Sequence, residues 1–515
     1  MTERLLSELL AGTRVVGRHG ATADGLVTVV TQDSREVVSG ALFVAVPGFR
    51  VDGHEFLGAA VAAGARALVV QSDRRVLWEE VVSDIVSKEK VAVVEVSDTR
   101  AALADLSAAL HGYPARDLRV VGVTGTDGKS TTCYMLSSIL EAAGRRTGII
   151  GGVEFKVGGD WRANTITQTS PEAPLVQSLL AEMVADGVTD AVVESTSHGL
   201  VLHRLDHCEY DVAVFTGLSD DHLDFHETRE EYFAAKLRLF EALDGAVDKG
   251  APKRAVIHGD DPHIEAIKAA LSPAVGAELV RVGFEKDGLD VSVSDLDLRA
   301  EGSVFRLATP SGALDVSLAL PGRFNVHNAL LAAGAAQALG VGIIPIVEGL
   351  SALRGVPGRM ERIEAGQPFS VVVDAAATTD AFRMVLESVK PLVKGRLIVV
   401  FGCAGERDPG RRTGMGAVAA EFADLSVLTS ENPRSEDAAA IVRAIAAAME
   451  AEGSVSGEDF EELPDRREAI ARAFTLAEPG DYVLIAGKGA EQTLITGAHV
   501  APWDDRDVAR TLLRR

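Results

Sequence analysis

Residues 122–132 read GVTGTDGKSTT, and the reading of this stretch decides the fold. Before it lies LRVVGV (118–123), a short apolar run of β character; after it lies STTCYMLSSILEAAG (130–144), a helical pattern. A strand, a glycine-rich turn and a helix are the setting of a phosphate loop. Gly125 and Gly128 let backbone N–H groups approach a phosphate closely, and the helix N-terminus adds its positive end. Lys129 is then placed for the β/γ-phosphates and the Ser130 hydroxyl for Mg²⁺. The competing reading is an ordinary glycine-rich turn, which the Lys-Ser pair in this setting disfavours. The spacing is unusual, because five residues separate Gly122 from Gly128 where the common loop runs G-x-x-x-x-G-K.

The same alternation extends outward. DAVVEST, DVAVFTGL and RAVIHGDD are short β-rich runs ending in polar residues, separated by helical segments such as PLVQSLLAEMVADG. This predicts an α/β fold with a parallel sheet covered by helices on both faces. FSVVVDAA, RLIVVFGCAG, LSVLTSENPR and DYVLIAGKGAE repeat the pattern, and the first hundred residues mix strands such as GALFVAVPG with helices such as FLGAAVAAGA. Three units are expected: a small α/β N-terminal domain over 1–105, a central P-loop domain over 106–338, and a C-terminal Rossmann-like domain over 339–515. Ligands in such sheets gather beyond the carboxyl ends of the strands, so the polar residues there are the ones to examine.

The chain has 515 residues, more than one ordinary core holds. A net charge of −24 without a basic block argues against nucleic acid or an anionic membrane as partner. A phosphate site must therefore be locally basic on an acidic body. The three cysteines, Cys133, Cys208 and Cys403, are scattered and form no zinc or disulfide pattern, which fits a reducing cytoplasm. No apolar run is long enough to span a bilayer. The opening MTERLLSELLAG reads as an amphipathic helix, not a signal peptide.

The variant phosphate loop resembles that of the Mur ligase family, and the resemblance continues along the chain. DSREVVSGALFVAVPG and DGHEF look like the N-terminal signature of MurE-type members. TSPEAP, ESTSHGL, DHLDFH with YFAAKLRLF, GRFNVHNAL, VPGRMERI, GCAGERD, SENPRSED and GKGAEQ follow in the family's order, from Asp33 to Gln492. The resemblance implies an ATP-dependent ligase that adds the third amino acid to UDP-N-acetylmuramoyl-L-alanyl-D-glutamate, with the first domain binding the uridine nucleotide and the third the incoming amino acid. A monomer is expected.

Glu194 ends the strand DAVVE on the same sheet edge as the phosphate loop, a place for a metal-bound carboxylate. The resemblance implies that Ser130, Glu194 and His222 serve Mg²⁺, and that Lys236 is carbamylated and joins them. Without it, His222 and Lys236 would pass as ordinary surface residues. The resemblance further assigns Gly125, Thr126, Asp127, Gly128, Lys129, Ser130, Thr131, Asn325, Asn328, Arg359 and Asp374 to ATP. Lys129, Glu194, His222, Lys236 and Arg359 form the implied catalytic set. Ser34, Asn164, Thr169, Ser170, Thr196 and Arg204 match the region that holds the muramoyl dipeptide, where a guanidinium suits a carboxylate. For Thr169 and Ser170 a capping role is the competing reading. Arg407, Glu431, Asn432, Pro433, Arg434, Gly487 and Glu491 match the amino-acid site, and ENPR favours meso-diaminopimelate over lysine or ornithine.

The pattern departs from the family in places. Asp127 stands where asparagine is common, Glu431 where aspartate opens the motif, and Leu202 where glutamine is frequent. DAAATTD (374–380) replaces DYAHTPD, so Ala375 and Ala377 stand for a tyrosine and a histidine. Two further readings remain at this point: an amide ligase with another acceptor, of polyglutamate or cyanophycin type, and a catalytically impaired binding or regulatory relative.

Overall fold

The computed structural model describes residues 3–21, 24–49, 51–88, 91–166, 168–219, 221, 225–271, 276–284 and 288–514. The central sheet has eleven strands. Its middle is parallel and runs, in spatial order, Thr147–Ile150, Asp190–Glu194, Arg119–Thr124, Val212–Phe215, Arg254–His258, Glu278–Phe284 and Val291–Arg299. The inner strands, Thr147–Ile150, Asp190–Glu194, Arg119–Thr124, Val212–Phe215 and Arg254–His258, are buried on both faces, which is why they carry Val/Ile/Ala runs, whereas Glu278–Phe284 and Val291–Arg299 are partly exposed. Each edge is closed by antiparallel strands, Glu154–Val157 with Asp160–Ala163 on one side and Gly302–Thr309 with Gly312–Leu318 on the other. Arg119–Thr124 lies between Asp190–Glu194 and Val212–Phe215, so the phosphate-loop turn emerges beside Glu194 and Thr216.

The first sheet has five strands, ordered Val15–Gly20, Ala92–Val96, Ala67–Gln71, Ala41–Val44 and Val29–Thr31, and is parallel except for the first pair. Leu42 and Val44 enter one core and Phe43 the other, as the strand period requires. The third sheet has six strands, ordered Glu361–Arg362, Ser370–Asp374, Tyr482–Ala486, Leu397–Phe401, Leu425–Leu428 and Phe460–Glu462, parallel after the first.

The expected α/β architecture with a parallel central sheet and a separate C-terminal sheet is present. Two helices bear on the expected breaks. Helix Thr99–Leu110 crosses residue 105 yet buries Leu103 and Leu106 in the first core. Helix Ile343–Ala352 follows residue 338 yet packs across helix Lys129–Ala142, burying Ile343, Ile346 and Leu350 in the central core. We propose breaks after Leu110 and after Val356, where these cores end. The N-terminal amphipathic helix is corrected to a single turn, Leu6–Leu9, continued by a 3₁₀ turn Leu10–Gly12. Leu6, Leu9 and Leu10 are spent on the first core and Gly12 ends the run. All three cysteines are free and buried. Among the described residues, no helix is long and apolar enough to cross a membrane.

Candidate functional site

The turn after Arg119–Thr124 is shaped by contacts that only glycine permits. Gly125 has φ 144°, and a Cβ there would fall 1.9 Å from Thr216 Oγ1. Gly128 has φ 83°, and its Cβ would meet Asn328 Oδ1 at 2.3 Å. Asn328 thus braces the phosphate-loop turn from helix Arg323–Ala338 and also donates to Asn325 Oδ1 (3.3 Å), while Asn325 donates to Pro321 O (2.8 Å). Thr126 N–H donates to Gly217 O (2.9 Å). Ser219 Oγ donates to Asp127 Oδ2 (3.2 Å), which turns that added negative charge toward the neighbouring strand end. Ser130 and Thr131 are buried in the first turn of helix Lys129–Ala142.

Two lysines converge on this turn. Lys129 Nζ donates to Gly125 O (3.0 Å) and Thr126 O (2.6 Å), and Lys236 Nζ donates to the same Gly125 O (2.7 Å). Lys236 lies inside helix Arg229–Gly245, is 1% exposed, and sits over the Tyr232 ring. Burial, and then the Lys129 ammonium, hold its amine well below the ordinary lysine value. On the other flank, Glu194 is also 1% exposed, and its Oε1 accepts Gly152 N–H (3.0 Å). A Cβ on Gly151 would fall 2.4 Å from that oxygen, so the two glycines form a cradle for the carboxylate. His222 lies outside the described residues. Among the described residues no three His, Cys, Asp or Glu gather as a ligand set.

The carboxyl edge of the third sheet faces this turn. Arg411, on helix Gly410–Phe422, pairs with Asp221 at 3.0 Å. Asp374 is buried, accepts Met360 N–H and Ala376 N–H (2.8 Å each), and has its pKa raised, first by burial. Arg359 and Asp127 act on it through space with opposite signs. Three loops are interlocked beside it: a Cβ on Gly358 would fall 2.1 Å from Ala490 N, and one on Gly489 would fall 2.5 Å from Ala375 Cβ.

Further along this edge, Glu431 is buried against Gly487, whose Cβ would meet Glu431 Cγ at 3.5 Å. Desolvation, with the nearby Glu491 second, pushes its carboxyl up to about 7. Asn432 donates to Glu491 Oε2 and accepts from Lys488 Nζ, both at 2.9 Å. Pro433 O crowds Gly405, and Arg434 takes a left-handed backbone with φ 53°. Arg407 is exposed on the adjacent loop.

The remaining predicted residues divide between two places. Ser170 donates to Glu194 O (2.8 Å) and lies 2.9 Å from Thr196 Oγ1, which caps helix Ser197–Val201 through Gly199 N–H. Arg204 Nη2 already pairs with Glu172 at 2.7 Å. Asn164 closes its own loop by donating to Gly151 O (2.9 Å) and Gln168 O (3.0 Å), and Thr169 lies against Gly152. Ser34 sits in a short turn of the first sheet, capped by Asp33. The sequence reading missed Lys488, Arg411 with Asp221, and Arg466 with Asp505. Lys488 was visible in GKGAE; the others were not, because their partners are remote in sequence.

A phosphate-loop sheet, a second parallel sheet facing it and a smaller N-terminal sheet make a three-part α/β protein, and comparison with known proteins gives its class. The chain matches the descriptions "Mur ligase family, catalytic domain" over residues 26–111, "Mur ligase middle domain" over 123–336 and "Mur ligase, glutamate ligase domain" over 358–489. It is 45% identical over 490 residues to the UDP-N-acetylmuramyl-tripeptide synthetase of Roseiflexus sp. (strain RS-1), covering 94% of each chain. It is 41% identical over 496 residues to the UDP-N-acetylmuramoyl-L-alanyl-D-glutamate--2,6-diaminopimelate ligase of Geobacillus kaustophilus (strain HTA426), covering 96% of each. A solved structure of a UDP-N-acetylmuramoyl-L-alanyl-D-glutamate--2,6-diaminopimelate ligase superposes with a TM-score of 0.64 at 30% identity, over 95% of this chain and 94% of that one. The chain belongs to the Mur ligase family, whose members form amide bonds.

Proposed function

We propose that this protein uses ATP to join meso-diaminopimelate to the D-glutamyl side-chain carboxylate of UDP-N-acetylmuramoyl-L-alanyl-D-glutamate, a step of peptidoglycan precursor synthesis in the cytoplasm. The observation that carries the reading is the convergence of Lys129 and Lys236 on Gly125 O, beside the Glu194 cradle and opposite Asp374 and Arg359. Lys129 gives the floor of this site its positive charge and Glu194 stands at its rim, on an acidic protein. The names of the relatives supply the substrates.

In the first step a glutamyl carboxylate oxygen attacks the γ-phosphorus, and the bond to the ADP oxygen breaks. Lys129 swings from its carbonyl partners to the phosphates, and the loop N–H groups and helix N-terminus take the developing charge. In the second step the amino nitrogen attacks the acyl phosphate, the carbon–oxygen bond to phosphate breaks, and the nitrogen loses a proton. Arg359 and Asp374 hold the nucleotide from the third sheet, and closure of that sheet keeps water from the acyl phosphate. Ser34 lies on the uridine-nucleotide side, and Arg204 orients the peptide carboxylate by exchanging Glu172 for it.

Mg²⁺ fits the residues present, because a buried Glu194 carboxylate held by one backbone donor calls for a cation. Glu194, Ser130, His222 and carbamylated Lys236 would hold it, and it would neutralise charge on the transferring phosphoryl group. Carbamylation needs a neutral amine. The lone pair of the neutral Lys236 amine attacks the CO₂ carbon, one C=O π pair moves to oxygen, and the nitrogen gives a proton to solvent, leaving an oxygen-donating carbamate anion; the burial of Lys236 supports this. The test is ADP release with the muramoyl dipeptide and, in competition, diaminopimelate, lysine and ornithine. Dependence on all three substrates with diaminopimelate preferred is expected. ADP release without the dipeptide would overturn the reading, and preference for a simple diamine would overturn its amino-acid part.

A further inference from the structure

The two segments assigned to the amino acid, Glu431–Arg434 and Gly487–Glu491, follow strands Leu425–Leu428 and Tyr482–Ala486. These strands are not neighbours, since Leu397–Phe401 lies between them. No ladder hydrogen bond therefore fixes the distance between the segments. Asn432 joins the segments through side chains, to Lys488 and Glu491, and one further side chain ties their backbones. Arg466, at the start of helix Arg466–Leu476, donates through Nη1 to Ser430 O (3.2 Å) and through Nη2 to Ala486 O (2.9 Å). These are the carbonyls immediately before the two segments. The same guanidinium grips both oxygens of Asp505, at 2.8 and 2.6 Å, and both side chains are fully buried.

Asp505 opens the C-terminal helix Asp505–Leu513 and also accepts Trp503 Nε1–H (2.8 Å). The hairpin before it, Thr493–Thr496 with His499–Pro502, stitches Arg434 in place. Arg434 N–H donates to Ile495 O (3.1 Å), and Gly497 N–H donates to Arg434 O (2.5 Å). A buried ion pair is weak evidence for stability as such, since apolar groups of equal volume often serve as well. Its directed bonds to two carbonyls are a geometric constraint that apolar packing cannot copy.

We propose that Arg466, held by Asp505, is a positioning residue that sets the separation of the two amino-acid-recognising segments and so determines specificity. This rests on the reading that those segments take diaminopimelate. The distal end of that molecule carries a carboxylate for Arg434 and an ammonium for Glu491, so both segments must stand at one spacing. A simple diamine presents the ammonium alone and tolerates a change of spacing.

The experiment is steady-state kinetics of Asp505→Asn and Trp503→Phe, with folding checked by thermal melting. Unaltered protein is measured first with diaminopimelate and lysine, which tests the substrate reading by itself. Asp505→Asn should raise KM for diaminopimelate about tenfold or more, with KM for ATP and for the dipeptide within about twofold. The preference for diaminopimelate over lysine should fall with it. Trp503→Phe, which leaves the ion pair in place, should move the same ratio about threefold. If the unaltered protein prefers lysine, the substrate reading fails and the inference fails with it; if it prefers diaminopimelate and the variants leave that preference unmoved, the inference alone fails. Equal changes in all KM values, a loss confined to kcat, or an unchanged amino-acid KM in folded variants would overturn it. Should Asp505→Asn not fold, Trp503→Phe decides by the same criteria.

Discussion

Lys236 and Glu431 are single residues whose surroundings work against their ordinary charged forms. Lys236 would pass as a solvated helix lysine, yet it is buried beside a second ammonium, and its proton is disfavoured. Lys236→Ala is expected to lose at least about a hundredfold in ligation rate, with partial rescue by added short carboxylates, because the variant lacks the amine that the proposed carbamate needs. Unimpaired ligation by that variant would count against carbamylation. Glu431 shows the opposite case. Its pKa rises from 4.5 to about 7, chiefly through desolvation. Below the ordinary value both folded and unfolded chains hold the proton, so the residue is neutral to stability. Between the two values the unfolded chain releases it and the folded one keeps it, so stability falls as pH rises and levels off above the folded value. Glu431→Gln should therefore flatten the stability profile between these pH values and gain about 3 kcal/mol at most in alkaline solution. Parallel denaturation curves for the two proteins across that range would refute the assignment.

At the scale of elements, the phosphate-loop helix Lys129–Ala142 depends on its neighbour Ile343–Ala352. Ser138 Oγ donates to Gly349 O (2.7 Å), and a Cβ on Gly349 would fall 2.3 Å from Ile139 Cα. The contact is with backbone, which cannot rotate away. Gly349→Ala should destabilise the protein by about 1–3 kcal/mol through overpacking, despite alanine's better helix propensity. A chemical melt reads this directly, and a stabilised variant would mean that the two helices slide apart at no cost.

For the molecule as a whole, the proposed reaction requires the third sheet to stay over the phosphate loop while acyl phosphate is present. Arg411 and Asp221 join the two at 3.0 Å, partly exposed at 25% and 14%. Such a pair adds little to stability, but like charges across it oppose the docked arrangement. Arg411→Glu is expected to lower kcat about threefold or more while the melting temperature moves by less than about 2 °C. A normal kcat would show that docking does not depend on this pair. Added salt should weaken unaltered protein in the same direction, since exposed charges are screened.

Much of this was legible along the chain. The buried parallel strands announce themselves as apolar runs because both their faces are covered, and Gly125, Gly128, Lys129 and Ser130 announce a phosphate loop because its chemistry is local. Glu194 was legible for the same reason, as the polar end of a neighbouring strand. The N-terminal turn and the edge strands Gly302–Thr309 and Gly312–Leu318 were not. Those depend on which surface a segment covers, and periodicity does not say which. The facing of Asp127 toward Ser219, the bracing of Gly128 by Asn328 and the span of Arg466 from Ser430 to Ala486 join residues far apart in sequence. Local pattern carries short-range backbone preference and burial, whereas these contacts exist only once the cores have packed and brought distant strand ends to one edge.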